Sequence, residues 1–111
     1  MADLSKKRLG EIKQVILKVL NSAPDGIPAK QIPSRIEPLL PFTEFEKSFY
    51  ETAPNVRRID KIVRFATIGP VKAGWMTKEK GIWRITTEGS NGLEKIKDPE
   101  KLTDESNRLY K

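Results

Sequence analysis

A chain of 111 residues with 37% hydrophobic residues, net charge +6 and an isoelectric point near 9.7 has room for one small domain with one modest core. It contains no cysteine and no histidine, which excludes disulfides and thiolate metal sites and removes the usual general base and the Ser-His and Cys-His nucleophile pairs. The longest apolar run, Val15 to Leu20, is broken by Lys18 and is too short to cross a bilayer, and no signal-peptide pattern opens the chain, so the expected location is the cytoplasm.

In chain order, Leu9, Ile12, Val15, Ile16, Val19 and Leu20 recur at three- and four-residue spacing, with Lys6, Lys7, Lys13 and Lys18 mostly on the other side. This predicts an amphipathic first helix. The cluster Asn21 to Gly26 ends it, and Ile27 is expected in a very short strand. A second helix is predicted from Lys30 or Gln31, with Pro33 in its first turn, Ile32, Ile36, Leu39 and Leu40 inward, and Pro38 and Pro41 ending it. Residues 42–53 mix Phe42, Phe45, Phe49 and Tyr50 with Glu44, Glu46 and Glu51, and read as a short helix or ordered loop that packs aromatics onto the core.

The pattern sharpens from Asn55. Val56, Ile59, Ile62, Val63 and Ala66 line one face of a third helix, while Arg57, Arg58, Lys61 and Arg64 gather on another. Gly69-Pro70 is expected to kink or interrupt it before a turn at Gly74. Trp75–Thr77 and Ile82–Thr86 read as a hairpin joined through Lys78, Glu79, Lys80 and Gly81, with Trp83 inward. A last amphipathic turn or helix follows in residues 87–96. Pro99 then opens a charged tail whose apolar anchors are Leu102, Leu109 and Tyr110. The expected division is a domain over 1–97 and a charged helix or linker over 98–111 that leads to a further domain in a longer protein.

Helix, short strand, helix, third helix and hairpin is the order of a mainly α winged helix-turn-helix domain with a small β-hairpin as its wing. In that fold the third helix enters the DNA major groove and the wing reaches neighbouring phosphates or the minor groove. Charge points the same way: residues 54–84 hold eight basic and two acidic side chains, and their excess equals the +6 of the whole chain. Such a concentrated positive face is the footprint expected for a polyanion. Arg57, Arg58 and Lys61, in the first turns of the third helix, are the candidates for reading base edges. Arg64 extends that face, and Lys78 and Lys80 are placed at the hairpin tip against phosphates.

The stretch Ile62 to Gly89 also resembles a known family. Val63-Arg64-Phe65-Ala66, Lys72-Ala73-Gly74 and Gly81-Ile82-Trp83-Arg84-Ile85-Thr86 are similar, in order and without gaps, to the helix, step and hairpin of the N-terminal winged-helix domain of Mrr-type restriction proteins. Phe65 stands where tryptophan is usual, Lys80 where arginine is common, and Gly69-Pro70 where an aromatic-leucine pair is usual. The resemblance implies a module that binds double-stranded DNA, with or without modified bases, while a separate nuclease or nucleotide-hydrolysing domain acts on it. A second copy of the chain or an attached effector domain completes the expected partners.

Plainer readings compete. The basic residues can be a solvated face, Trp83 and Trp75 are better core residues than stacking platforms, and Lys6, Lys7 and Arg8 are either a weak phosphate-touching edge or a frayed helix start. Glu44, Glu46 and Glu51, without histidine, make a poor metal site, and no carboxylate group suited to magnesium-dependent cleavage is evident. No cofactor or metal is expected, and no catalysis by this chain. The alternative function is a protein-interaction or dimerisation domain.

Overall fold

Ser5 opens the first helix: its Oγ accepts the backbone N–H of Arg8 at 3.0 Å, and α1 runs over Lys6–Asn21. The computed structural model describes residues 4–110, with the Tyr110 side chain outside that description. Ile12, Val15, Ile16, Leu17, Val19 and Leu20 of α1 are all buried and form the centre of the core. Lys13, expected on the outward side, is buried as well, because α1 is covered on two sides. The second cover is α7, Pro99–Tyr110, which packs along α1 and brings Leu102, Thr103 and Ser106 into the interior.

After the turn comes β1, Ile27–Pro28, then a 3-10 turn, Ala29–Gln31, and α2, Ile32–Ile36. Pro33 lies in the first turn as its missing N–H requires, but α2 stops at Ile36, four residues short of the expected Leu40. Pro38 has no N–H with which to continue the ladder, and Leu39 is left exposed. The acidic-aromatic stretch contains the single-turn helix α3, Glu44–Lys47, closed by a capping box: Thr43 Oγ1 accepts from Glu46 N at 3.1 Å, and Glu46 Oε1 accepts from Thr43 N at 2.8 Å. Of its aromatic side chains only Phe42 is buried, and Phe49 is exposed, which corrects the expectation that the aromatics pack together onto the core.

The third helix of the sequence reading is α4, Arg58–Ala66, followed after a break at Thr67 by α5, Ile68–Lys72. The break follows from Pro70, which cannot donate to the carbonyl of Ala66. Buried Thr67 turns its hydroxyl back to the Arg64 carbonyl at 2.8 Å. At the end of α5, Gly74 adopts φ +81° while its N–H bonds to Val71 O at 3.1 Å and Trp75 N–H bonds to Pro70 O at 2.8 Å. These two bonds are a Schellman motif, so the Lys72-Ala73-Gly74 step is a helix stop that needs glycine at its left-handed position.

The chain then enters β2, Met76–Glu79, and returns as β3, Ile82–Ile85. The loop between them is two residues long, not four. Lys80 and Gly81 both have positive φ, +52° and +78°, as a type I′ turn requires, and Lys78 and Glu79 belong to β2. β1 pairs with the other edge of β3, setting Ile27 opposite Trp83, so the sheet order is β1-β3-β2 with all neighbours antiparallel. Thr86 caps α6, Thr87–Lys95. Mostly helical, with this small three-stranded sheet between and beside the helices, the chain has a winged-helix-like fold. Among the described residues no helix is long and apolar enough to cross a membrane.

Candidate functional site

The basic face is built by α4 and by the β2–β3 wing, but its six predicted side chains do different things. Arg58 is turned into the protein. Its Nη1 donates to Ser48 Oγ at 2.7 Å and to the Phe49 carbonyl at 3.0 Å, and its guanidinium lies 4.9 Å from the ring centres of both Phe45 and Tyr50. A planar cation held between two aromatic faces is well matched in shape and electrostatics. Together with the backbone bond from Arg58 N to Ser48 O, this fastens the start of α4 to the segment after α3. Arg57 is the residue before α4. Its backbone bridges Phe49, and its half-buried side chain stands 3.8 Å from Asp60, a loose ion pair.

Lys61 and Arg64 point outward from α4 and are exposed. Lys61 Nζ lies 5.0 Å from the centre of the Tyr50 ring. Both residues border a cleft of about 440 Å³ between α4, the 3-10 turn and β3, whose walls also include Lys30, Asn55, Asp60 and Trp83. Lys30 was not among the sequence candidates. Alone beside Ala29 it carries no helical pattern, and only the return of β3 next to the 3-10 turn brings it to this face.

In the wing, Lys78 of β2 sits directly across from Trp83 of β3, with Nζ 4.3 Å from the ring centre. Trp83 itself is 4% exposed, as a core residue should be. Lys78 is exposed, but partial loss of hydration beside its neighbours, and then the positive charge of Arg64, hold its ammonium below its ordinary pKa. Lys78 therefore stands on the wing's flank, over Trp83. Lys80 occupies the tip, exposed and in the left-handed conformation. Among the described residues no carboxylate forms an ion pair with Lys61, Arg64, Lys78 or Lys80.

At the start of α1, two cations are matched by carboxylates. The Arg8 guanidinium grips fully buried Glu46 through two bonds, 2.7 and 2.8 Å, and adds one to the Pro41 carbonyl at 2.9 Å. Burial alone would push the Glu46 carboxyl up, but its bonds to Arg8 and Thr43 outweigh that and hold it below the ordinary value. Lys6 pairs with Asp104 at 2.5 Å. For Arg8 and Lys6 these contacts give a structural role in place of a phosphate edge or a frayed start, Lys7 is exposed, and Glu46 is a structural anion. Among the described residues, no group of three or more acidic side chains is placed to hold a metal ion.

A family model described as the Mrr N-terminal domain matches residues 11–95, which spans α1 through α6 and so includes α4, the cleft and the wing. Searches of curated proteins and of solved structures return no match.

Proposed function

The chain belongs to the Mrr N-terminal domain family, a domain of restriction-system proteins, and from that premise we propose that it is the module by which such a protein binds double-stranded DNA, α4 entering the major groove and the wing following the adjoining phosphates. The observation that carries this reading is that Lys61 and Arg64 on α4 and Lys78 and Lys80 on the wing are exposed cations with which no described carboxylate forms an ion pair, an arrangement that a polyanion can match. Lys61 and Arg64 then approach the duplex from the helix, Lys78 lies in the corner between helix and wing, and Lys80 reaches out from the tip. Arg57 contributes at the helix start, and Arg58 acts by holding α4 in place. The reading extends to modified bases, since the groove that α4 would occupy displays their substituents. Catalysis belongs to another domain of a longer cytoplasmic protein, joined to the binding domain over 1–97 beyond residues 98–111, whose helix α7 packs onto α1 of that domain.

Titration with duplex DNA at several salt concentrations tests the proposal. The expected result is an affinity that falls steeply as salt rises, with the slope made shallower by about one for each phosphate that a Lys78→Ala/Lys80→Ala variant no longer neutralises. Binding that ignores salt, or a double variant that binds with unchanged affinity and slope, would hand this surface to the protein-interaction alternative. Duplexes of one sequence carrying unmodified, methylated or hydroxymethylated bases test the finer reading.

A further inference from the structure

The outward side of the α4–α5 helix pair is not uniformly cationic. Phe65 on α4 is 62% exposed, one helical turn after Lys61 and next to Arg64, and Ile68, which opens α5 just beyond the break at Thr67, is 43% exposed. Neither serves the interior, because α4 already buries Ile59, Val63 and Ala66 on its other side. An apolar pair set among cations poses a problem of partner. An apolar protein surface laid over it would strip water from Lys61 and Arg64 without offering them counter-charges, and an acidic one would leave the phenyl and sec-butyl groups unmatched. A DNA major groove offers both kinds of contact at the right separation of roles: phosphates along its walls and, on its floor, one apolar substituent, the methyl group at pyrimidine C5.

We propose that Phe65 and Ile68 are the specificity-determining contact of this surface and that they take the C5 methyl group of a pyrimidine, carried by thymine or by 5-methylcytosine. The inference rests on the DNA reading above and deepens it. The cations supply attraction that is blind to sequence, while the apolar pair distinguishes a methylated pyrimidine edge from a bare one.

The test uses short mixed-sequence duplexes in two matched sets, thymine against uracil and 5-methylcytosine against cytosine, titrated against the whole chain and against Phe65→Ala and Ile68→Ala. Both side chains are solvent-facing, so the variants are expected to fold, and a thermal melt verifies it. Removing the methyl group should weaken binding by the parent about 4-fold for each methyl buried, and the set in which this happens identifies the source. Either alanine variant should narrow that preference while keeping the parent's salt slope. Parent binding that is equal within both sets, or a preference that survives in both variants, overturns the inference and leaves the DNA reading standing. Failure of the parent to bind any duplex overturns both. A loss of self-association in Phe65→Ala, with the methyl preference intact, would assign the pair to an interface between copies and overturn it as well.

Discussion

The two sides of this molecule treat their cations in opposite ways. Around α1 three cations are held by partners, Arg8 by Glu46, Lys6 by Asp104, and Lys13 donating to Thr103 Oγ1 at 3.2 Å with Asp104 near enough to favour its charge, while Lys7 and Lys18 are exposed and form no ion pair with any described residue. Across α4 and the wing, Lys61, Arg64, Lys78 and Lys80 form no ion pair with any described residue. The excess of basic over acidic residues in 54–84 nevertheless equals the chain's net charge of +6. Where the fold buries a carboxylate, as at Glu46, it supplies the counter-charge, and the exposed cations of α4 and the wing are left for a partner. Breaking the Arg8 ion pair should cost folding, removing the buried charge of Lys13 should favour it, and removing an unmatched cation of α4 or the wing should cost binding.

The largest effect is expected at Arg8. Arg8→Ala leaves Glu46 buried without its counter-ion and should destabilise the domain by about 3 to 5 kcal/mol, read from urea unfolding. The pH dependence should change with it. In the parent, the lowered pKa of Glu46 means that its contribution is present above the ordinary 4.5 and is lost as pH falls below it. In Arg8→Ala, where burial acts on Glu46 with less to oppose it, acid sensitivity should begin at higher pH. A variant as stable as the parent would show that the pair is incidental.

Lys13 sharpens the comparison from the other direction. Burial, partly offset by Asp104, lowers its pKa from 10.5 to about 8, so the unfolded chain binds this proton more tightly between those values. Stability should therefore rise as pH increases from about 8 to 10.5, where the neutral amine is the buried form, and should be lowest on this account below about 8. Replacing the ammonium by an apolar group of similar length should stabilise the domain at neutral pH. Lys13→Met is expected to gain about 1 to 3 kcal/mol there and to flatten the alkaline rise in melting temperature.

Arg58 belongs by structure with the matched cations although it lies in the basic cluster. Arg58→Ala should cost about 1 to 2 kcal/mol, because it removes the bonds to Ser48 and Phe49 and the stacking on Phe45 and Tyr50. Its effect on DNA affinity should therefore come with a loss of stability. The smallest stability effect, within about 0.5 kcal/mol, is expected for Lys61→Ala and Arg64→Ala, even as they weaken binding to a duplex. If either melts like Arg58→Ala, the division between folding and binding cations fails.

The buried stripe of α1, the period of α4, the short strand at Ile27, the hairpin and the burial of Trp83 are all legible in the sequence, because each follows from local spacing that a folded chain must respect. What is not legible there depends on neighbours far along the chain. Spacing marks one apolar face on α1 but cannot announce that α7, ninety residues from Lys13 at its Thr103, will cover a second. Nor does the stripe of α4 distinguish Arg58 from Lys61: one turns inward only because residues 45–50 return beside the helix start. The hairpin loop is shorter than its sequence suggests for a more local reason. Lys80 accepts a positive φ that is usually left to glycine or asparagine, and so Lys78 moves from the tip to the flank.

The order β1-β3-β2 leaves the sheet with two rims that pair with no further strand among the described residues, and both are poor templates for another strand. β1 is two residues long and one of them, Pro28, has no N–H to offer, while β2 is four residues long and carries exposed Thr77, Lys78 and Glu79. Brevity, proline and alternating charge are the means by which natural sheets discourage edge-to-edge growth. Copies of this domain crowded side by side on a long polymer could therefore lie wing against wing without zipping into a continuous sheet, and whatever binds the wing must meet it through side chains rather than by adding a strand.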